Sequence, residues 1–167
     1  QLINVGVAEQ NTLNVAAGLA SSGCKVLVFG ISSFFAFRSY EQLRINIAGM
    51  GLPVTVVGVG QGFSFSYDGP THHGIDDLAV LRTIPELEIL NPGDSDMARA
   101  CATYVGQSFG PKYVRLDKGK YPSFYPIDAE LGDGFNVLNG VSAVTIVATG
   151  SLLPMAKEAV DALQSMG

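Results

Sequence analysis

Three nearly unbroken apolar runs of strand length, at 25–30, 54–59 and 143–148, constrain this chain more than anything else in it. A strand with one wetted face alternates apolar and polar residues. A run apolar on both sides belongs in a parallel sheet covered on both faces. Between and around these runs the apolar spacing changes to a helical period. Helices are expected at 8–22, 36–48, 75–82, 96–106 and 152–166, with further strands at 87–90 and 112–116. Ser22-Gly23 stops the first helix, and Asp94 or Ser95 caps the helix at 96–106. The stretch 117–142, rich in Gly, Pro and Asp, carries no period and reads as a connector. The alternation of strands and helices predicts an α/β fold: a mostly parallel sheet with helices on both faces.

The chain has 167 residues, of which 47% are hydrophobic and 15% charged, with a mean hydropathy of +0.29. Buried parallel strands and a large hidden interface are the two sources of so apolar a composition. No apolar run reaches the roughly 20 residues that span a bilayer. A net charge of −5 without a Lys/Arg cluster argues against a nucleic-acid surface. Gln1-Leu2-Ile3-Asn4 lacks the basic start of a secretory signal. With no initiator Met, the chain is expected to begin mid-domain. Cys24 and Cys101 stand far apart and are expected to be buried free thiols of a cytoplasmic protein.

Three segments carry residues suited to chemistry. In Asn4-Val5-Gly6-Val7-Ala8-Glu9-Gln10-Asn11, a glycine turn enters a helix with one carboxylate in its first turn. Glu9 there either serves the helix dipole, worth about 0.3–1 kcal/mol, or exchanges a proton with a bound heterocycle from an apolar setting. Phe34, Phe37 and Tyr40 recur every three residues. Such a stripe either packs a core or stacks on a flat ring, which adds about 0.5–1.5 kcal/mol beyond burial. In Asp68-Gly69-Pro70-Thr71-His72-His73-Gly74, a carboxylate and a histidine lie four apart in a rigid loop, both able to reach one polar substrate. A metal pair at His72-His73 finds no further ligand at standard spacing nearby.

In their order and separation these segments resemble the transketolase family of thiamine diphosphate enzymes, over about residues 3–121. Val-Gly-Val-Ala-Glu-Gln-Asn is similar to the family's glutamate motif, Asp-Gly-Pro-Thr-His-His to its Asp-Gly-Pro-Thr-His-Gln, and Ser33 to Gln42 to the segment around the pyrimidine. The resemblance implies a pyrimidine-binding domain at 1–121, missing its first strand, a linker at 122–142, and the start of a second α/β domain at 143–167. It implies that Glu9 bonds a ring nitrogen of the aminopyrimidine and thereby activates the cofactor, with Phe34, Phe37 and Tyr40 holding that ring. It implies substrate contacts for Asp68 and His72, with His72 aiding proton transfer, and a specificity role for His73. Laid on the related deoxyxylulose-phosphate-synthase pattern, Phe35-x-x-Arg38-x-Tyr40 turns Arg38 towards substrate; in the other register Arg38 is a surface or interface charge.

The departures carry expectations of their own. Where the family has a His or Arg for the sugar phosphate, this chain has Gly60 and Gln61, and Lys118 stands where a later Arg would be. Lys118 supplies a point charge without a bidentate fork. A weakened phosphate site is expected, with a donor or acceptor other than a typical sugar 5-phosphate. No Gly-Asp-Gly followed by Asn-Asn occurs. The Mg²⁺ and diphosphate are therefore expected to be held by a diphosphate-binding domain or subunit, across a homodimer or heterotetramer. The activity implied is transfer of a two-carbon ketol unit between sugars. The alternatives are a decarboxylating 2-oxo acid enzyme and a non-catalytic subunit that kept the fold.

Overall fold

The computed structural model describes residues 1–125, 131, 134–138, 140 and 144–166. By proximity along and across the chain these fall into two units, one of Gln1–Leu90 with Ser108–Lys118 and one of Asn91–Gln107 with Gly119–Gly167. Each is described by itself.

The first unit opens on a turn. Asn4 Oδ1 accepts the Gly6 amide at 2.8 Å, and Gly6 takes φ +77°, where a side chain would be strained. Helix α1, Glu9–Ser21, follows with Glu9 in its first turn. Its buried face is Leu13, Ala16, Ala17 and Ala20. The helix stops at Ser22-Gly23, where Gly23 at φ +95° donates to the Ala20 carbonyl.

Four strands form one wholly parallel sheet in the order β1 (Val26–Ile31), β2 (Val54–Val59), β4 (Lys112–Leu116), β3 (Glu88–Leu90). Val26 pairs with Val54, Thr55 with Lys112, and Glu88 with Lys112. Val54, Val56 and Tyr113 pack with Leu13 of α1 and with Leu43, Ile47, Leu81 and Ile84. Each such fully buried aliphatic side chain contributes about 1.5–3 kcal/mol. The expected parallel sheet with helices is therefore present. One expectation about β1 is corrected: Leu27 and Phe29 are 67% and 73% exposed, while Val28 between them is buried. β1 is an edge strand, and of its two faces only the Val28 face meets the core.

The helix expected at 36–48 begins earlier and is not an α-helix. It comprises two π-helical stretches, Phe34–Arg38 and Gln42–Ala48, hinged at a turn on Ser39 whose hydroxyl donates to the Phe35 carbonyl at 3.0 Å. Wide turns of this kind concentrate at functional sites. After β2 come two 3₁₀ turns, Ser66–Asp68 and Pro70–His72, and then the short helix α2, Asp77–Leu81.

In the second unit α3 spans Ser95–Gln107 and α4 spans Leu153–Ser165. Asp94 is the cap of α3: one carboxylate oxygen accepts the Met97 amide at 2.8 Å and the other accepts the Phe124 amide at 2.7 Å. The strand expected at 143–148 is corrected. Residue 143 lies outside the described residues, and 144–148 are not in a strand, with Val144 and Val147 exposed. An apolar run becomes a strand only where another strand completes its hydrogen bonds, and no described strand pairs with this one. The cysteine expectation is half corrected: neither cysteine is in a disulfide, and Cys101 is buried but Cys24 exposed. Among the described residues no helix is long and apolar enough to cross a membrane.

Candidate active site

The segments singled out from sequence converge at the carboxyl edge of the sheet. There Ile31 ends β1 and leads through Ser32 and Ser33 into Phe34; Val59 ends β2 and opens the loop 60–74; Leu116 ends β4 just before Asp117 and Lys118. This is the edge at which open α/β sheets bind ligands.

Glu9, on the first turn of α1, has a side chain only 13% exposed, and its Oε2 accepts a hydrogen bond from Arg38 Nη1 at 2.9 Å. The same guanidinium lies over the ring of Phe34, 4.4 Å from its centroid. The other end of that contact chain is His72, whose ring meets Phe34 edge-on at 4.9 Å. Glu9, Arg38, Phe34 and His72, from three separate segments of the sequence, thus form one contiguous group. Arg38 is aimed at Glu9, so neither sequence reading of it, substrate ligand or surface charge, describes its present partner.

The rest of the aromatic stripe divides. Phe37 is half exposed, and Phe35 is buried in the core. Tyr40 packs against the core with its hydroxyl 2.7 Å from Thr83 Oγ1. Only Phe34 of the three aromatic candidates touches the Glu9–His72 group in the contacts described. Asp68 is exposed at the end of the first 3₁₀ turn. His72 Nδ1 lies 3.0 Å from Thr71 Oγ1. His73 turns the other way, edge-on to Phe63 at 4.9 Å with Nε2 3.5 Å from the Ser66 carbonyl. Lys118 rests its ammonium 4.1 Å above the ring of Phe65, which is itself 6.2 Å from His72. Among the described residues no three His, Cys, Asp or Glu side chains group as a metal site would.

Residues 1–123 match the family described as transketolase, pyrimidine binding domain. The chain belongs to that family. It is 35% identical over its whole length to one subunit of the apulose-4-phosphate transketolase of Phocaeicola vulgatus, and covers 54% of that subunit. Over 97% of its length it is 36% identical to 1-deoxy-D-xylulose-5-phosphate synthase of Thioalkalivibrio sulfidiphilus, covering 26% of that protein. A solved structure described as a split gene transketolase, inactive beta4 tetramer, superposes with a TM-score of 0.88 at 32% identity, over 99% of this chain and 53% of that one. The chain spans about half the length of the transketolase-subunit relatives it matches.

One part of this transketolase-family site was not legible in the sequence. Beneath the loop lies a buried polar knot. The Asp77 carboxylate, fully buried, accepts the Tyr113 hydroxyl at 2.9 Å and two N–H bonds of Arg115 at 2.8 and 2.9 Å. Arg115 also donates to Gln61 Oε1 and to the Gly74 carbonyl, each at 2.6 Å. Burial, and then the negative charge of Asp77, push the Tyr113 phenol well above its usual range. Gln61, read from sequence as the place of a missing phosphate ligand, is instead buried and held inward by Arg115. Asp77 looked like an ordinary acidic residue at a helix start, and Arg115 like one polar residue in a strand. The available signal was a pair of charges in otherwise apolar segments, since a charge there must find a partner.

Proposed function

We propose that this chain is the pyrimidine-binding part of a thiamine-diphosphate-dependent transketolase-type enzyme that moves a two-carbon ketol unit between sugars. The observation that carries the reading is the Glu9 group: a partly buried carboxylate linked through Arg38 to the partly exposed aromatic ring of Phe34, at the carboxyl edge of a parallel sheet. These residues fit an aminopyrimidine, which offers a flat face to an aromatic ring and ring nitrogens to a carboxyl group. When bound, the cofactor supplies the carbanion chemistry. Glu9 holds or moves a proton at the pyrimidine nitrogen, and Phe34 orients the ring, with Phe37 and Tyr40 flanking it. Asp68 and His72 take the substrate hydroxyls, and His72 carries a proton to or from one of them. His73 and Lys118 stand at the rim of that loop as specificity residues, Lys118 as its anion contact.

In this reading the Mg²⁺ and diphosphate are held by a separate domain or subunit, in a cytoplasmic homodimer or heterotetramer. That its relatives include a protein named as one subunit of a transketolase and a solved split gene transketolase supports a partner of that kind. The test is calorimetry of thiamine diphosphate with Mg²⁺, on this chain alone and then with its diphosphate-domain partner. Binding is expected only in the mixture, and Glu9→Gln is expected to abolish most of it. No binding by a demonstrably associated pair would leave a scaffold subunit as the better account.

One observation favours a second reading, a decarboxylating 2-oxo acid enzyme: the chain is 36% identical to a 1-deoxy-D-xylulose-5-phosphate synthase over 97% of its length. Turnover of pyruvate with release of CO₂, in place of a ketose donor, would select it.

A further inference from the structure

The loop that carries Asp68, His72 and His73 is closed at its neck by one guanidinium. Its two ends meet at the bridges joining Gln61 and Gly62 to Gly74. Arg115, reaching up from β4, bonds the Gln61 side chain at one end and the Gly74 carbonyl at the other, while its remaining bonds go to Asp77 just beyond the loop. Asp77 is fully buried and the Arg115 side chain is 11% exposed.

A buried ion pair is a poor device for stability alone. Desolvating two charges offsets much of their attraction, and apolar residues of like volume often serve as well. An apolar pair cannot supply direction. A guanidinium is a rigid planar fork of N–H donors, and here it spends four bonds on three partners that define the ends of one loop. We propose that Asp77 and Arg115 are positioning residues: they set the spacing and orientation of the ends of the 61–74 loop, and through them the placement of Asp68 and His72 against substrate. This rests on the reading of Asp68 and His72 given above. Glu9 sits on α1 and Phe34 on the first π stretch, outside the clasp. Loosening the clasp therefore weighs on the substrate steps far more than on cofactor capture, which is tied to the loop only through the Phe34–His72 and Ser33–Thr71 contacts.

The test uses the full-length protein in its assembled enzyme, with two variants. Arg115→Lys keeps the charge and loses the fork; Asp77→Leu with Arg115→Met replaces the pair by apolar volume. Four quantities are read: the unfolding midpoint, thiamine diphosphate affinity, kcat/KM with fructose 6-phosphate or pyruvate as donor, and hydrogen exchange of the amides of 62–73. The apolar pair is expected to stay folded with a lowered unfolding midpoint, because the buried Tyr113 hydroxyl and Gln61 side chain lose their partners. Both variants should bind cofactor within about twofold of wild type, exchange the loop amides at least about tenfold faster, and lose at least about tenfold in donor kcat/KM. Unchanged loop exchange in a folded Arg115→Lys protein, or a loss of cofactor affinity in step with donor turnover, would overturn the proposal. A wild-type enzyme that binds no cofactor would instead overturn the functional reading, whatever the loop does.

Discussion

At the scale of single residues, the candidate site is built from contacts across distant segments, Glu9 with Arg38 and Phe34 with His72. Glu9 was legible because a carboxylate beside a glycine turn at a helix start is unusual among apolar neighbours. Its partner was not, since Arg38 lies 29 residues away. His72 and Asp68 were legible as a pair in a Gly-Pro loop, yet the packing of His72 on Phe34 depends on β1 and β2 lying side by side. Tyr113 offers a measurable consequence. Its phenol is buried and bonded to Asp77, so the folded protein keeps a proton that the unfolded chain gives up at about pH 10. Its contribution is whole below that pH and shrinks above it, by up to about 1.4 kcal/mol per pH unit. The difference in urea-unfolding free energy between wild type and Tyr113→Phe is therefore expected to be flat through neutral pH and to fall above about pH 10. A difference that stays flat there would show that Tyr113 ionises as freely in the fold as outside it.

At the scale of elements, β2 and β4 coincide with their expected spans, and α1 and β1 fall within a residue of theirs. Apolar period and glycine stops are local signals, and these elements obey them. The π-helical stretches were not legible, because what holds them lies elsewhere: Ser33 Oγ donates to the Thr71 carbonyl at 3.1 Å, and Arg38 is drawn to Glu9. The run at 143–148 misled for the same reason in reverse, having the composition of a buried strand while no described strand pairs with 144–148. The loop 60–74 makes the sharpest prediction. Gly60 sits at φ +92°, and a Cβ there would lie 1.9 Å from Phe65 Cε2; Gly62, at φ +58°, has open space around it. Gly62→Ala is expected to cost only its backbone strain, about 1–2 kcal/mol. Gly60→Ala is expected to cost at least about 2 kcal/mol more, because Phe65 must move as well, and Lys118 with it. Urea unfolding of the two variants checks this, and equal losses would mean that Phe65 is free to swing aside.

At the scale of the whole molecule, the sheet presents Leu27 and Phe29 to solvent on one face of its edge strand. Single exposed apolar residues are ordinary, but two on one strand face mark a surface suited to association. Phe29→Lys in the full-length protein is expected to weaken assembly in sedimentation velocity and leave the unfolding midpoint within about 2 °C, since the side chain contributes little to the core. Unchanged assembly would remove this face from the interface. The Arg115 bonds at the ends of the 61–74 loop also fix an order in time. They join residues 38, 41 and 54 positions apart, and closing such separations has an entropic cost that only the docking of β4 beside β2 repays. A nascent chain that has emerged through Leu90 already holds Glu9, Phe34, Asp68 and His72 and the backbone bridges of the loop, yet it lacks the guanidinium that ties both loop ends to Asp77. The candidate residues are made early, and the arrival of β4 is what fastens the loop that carries two of them.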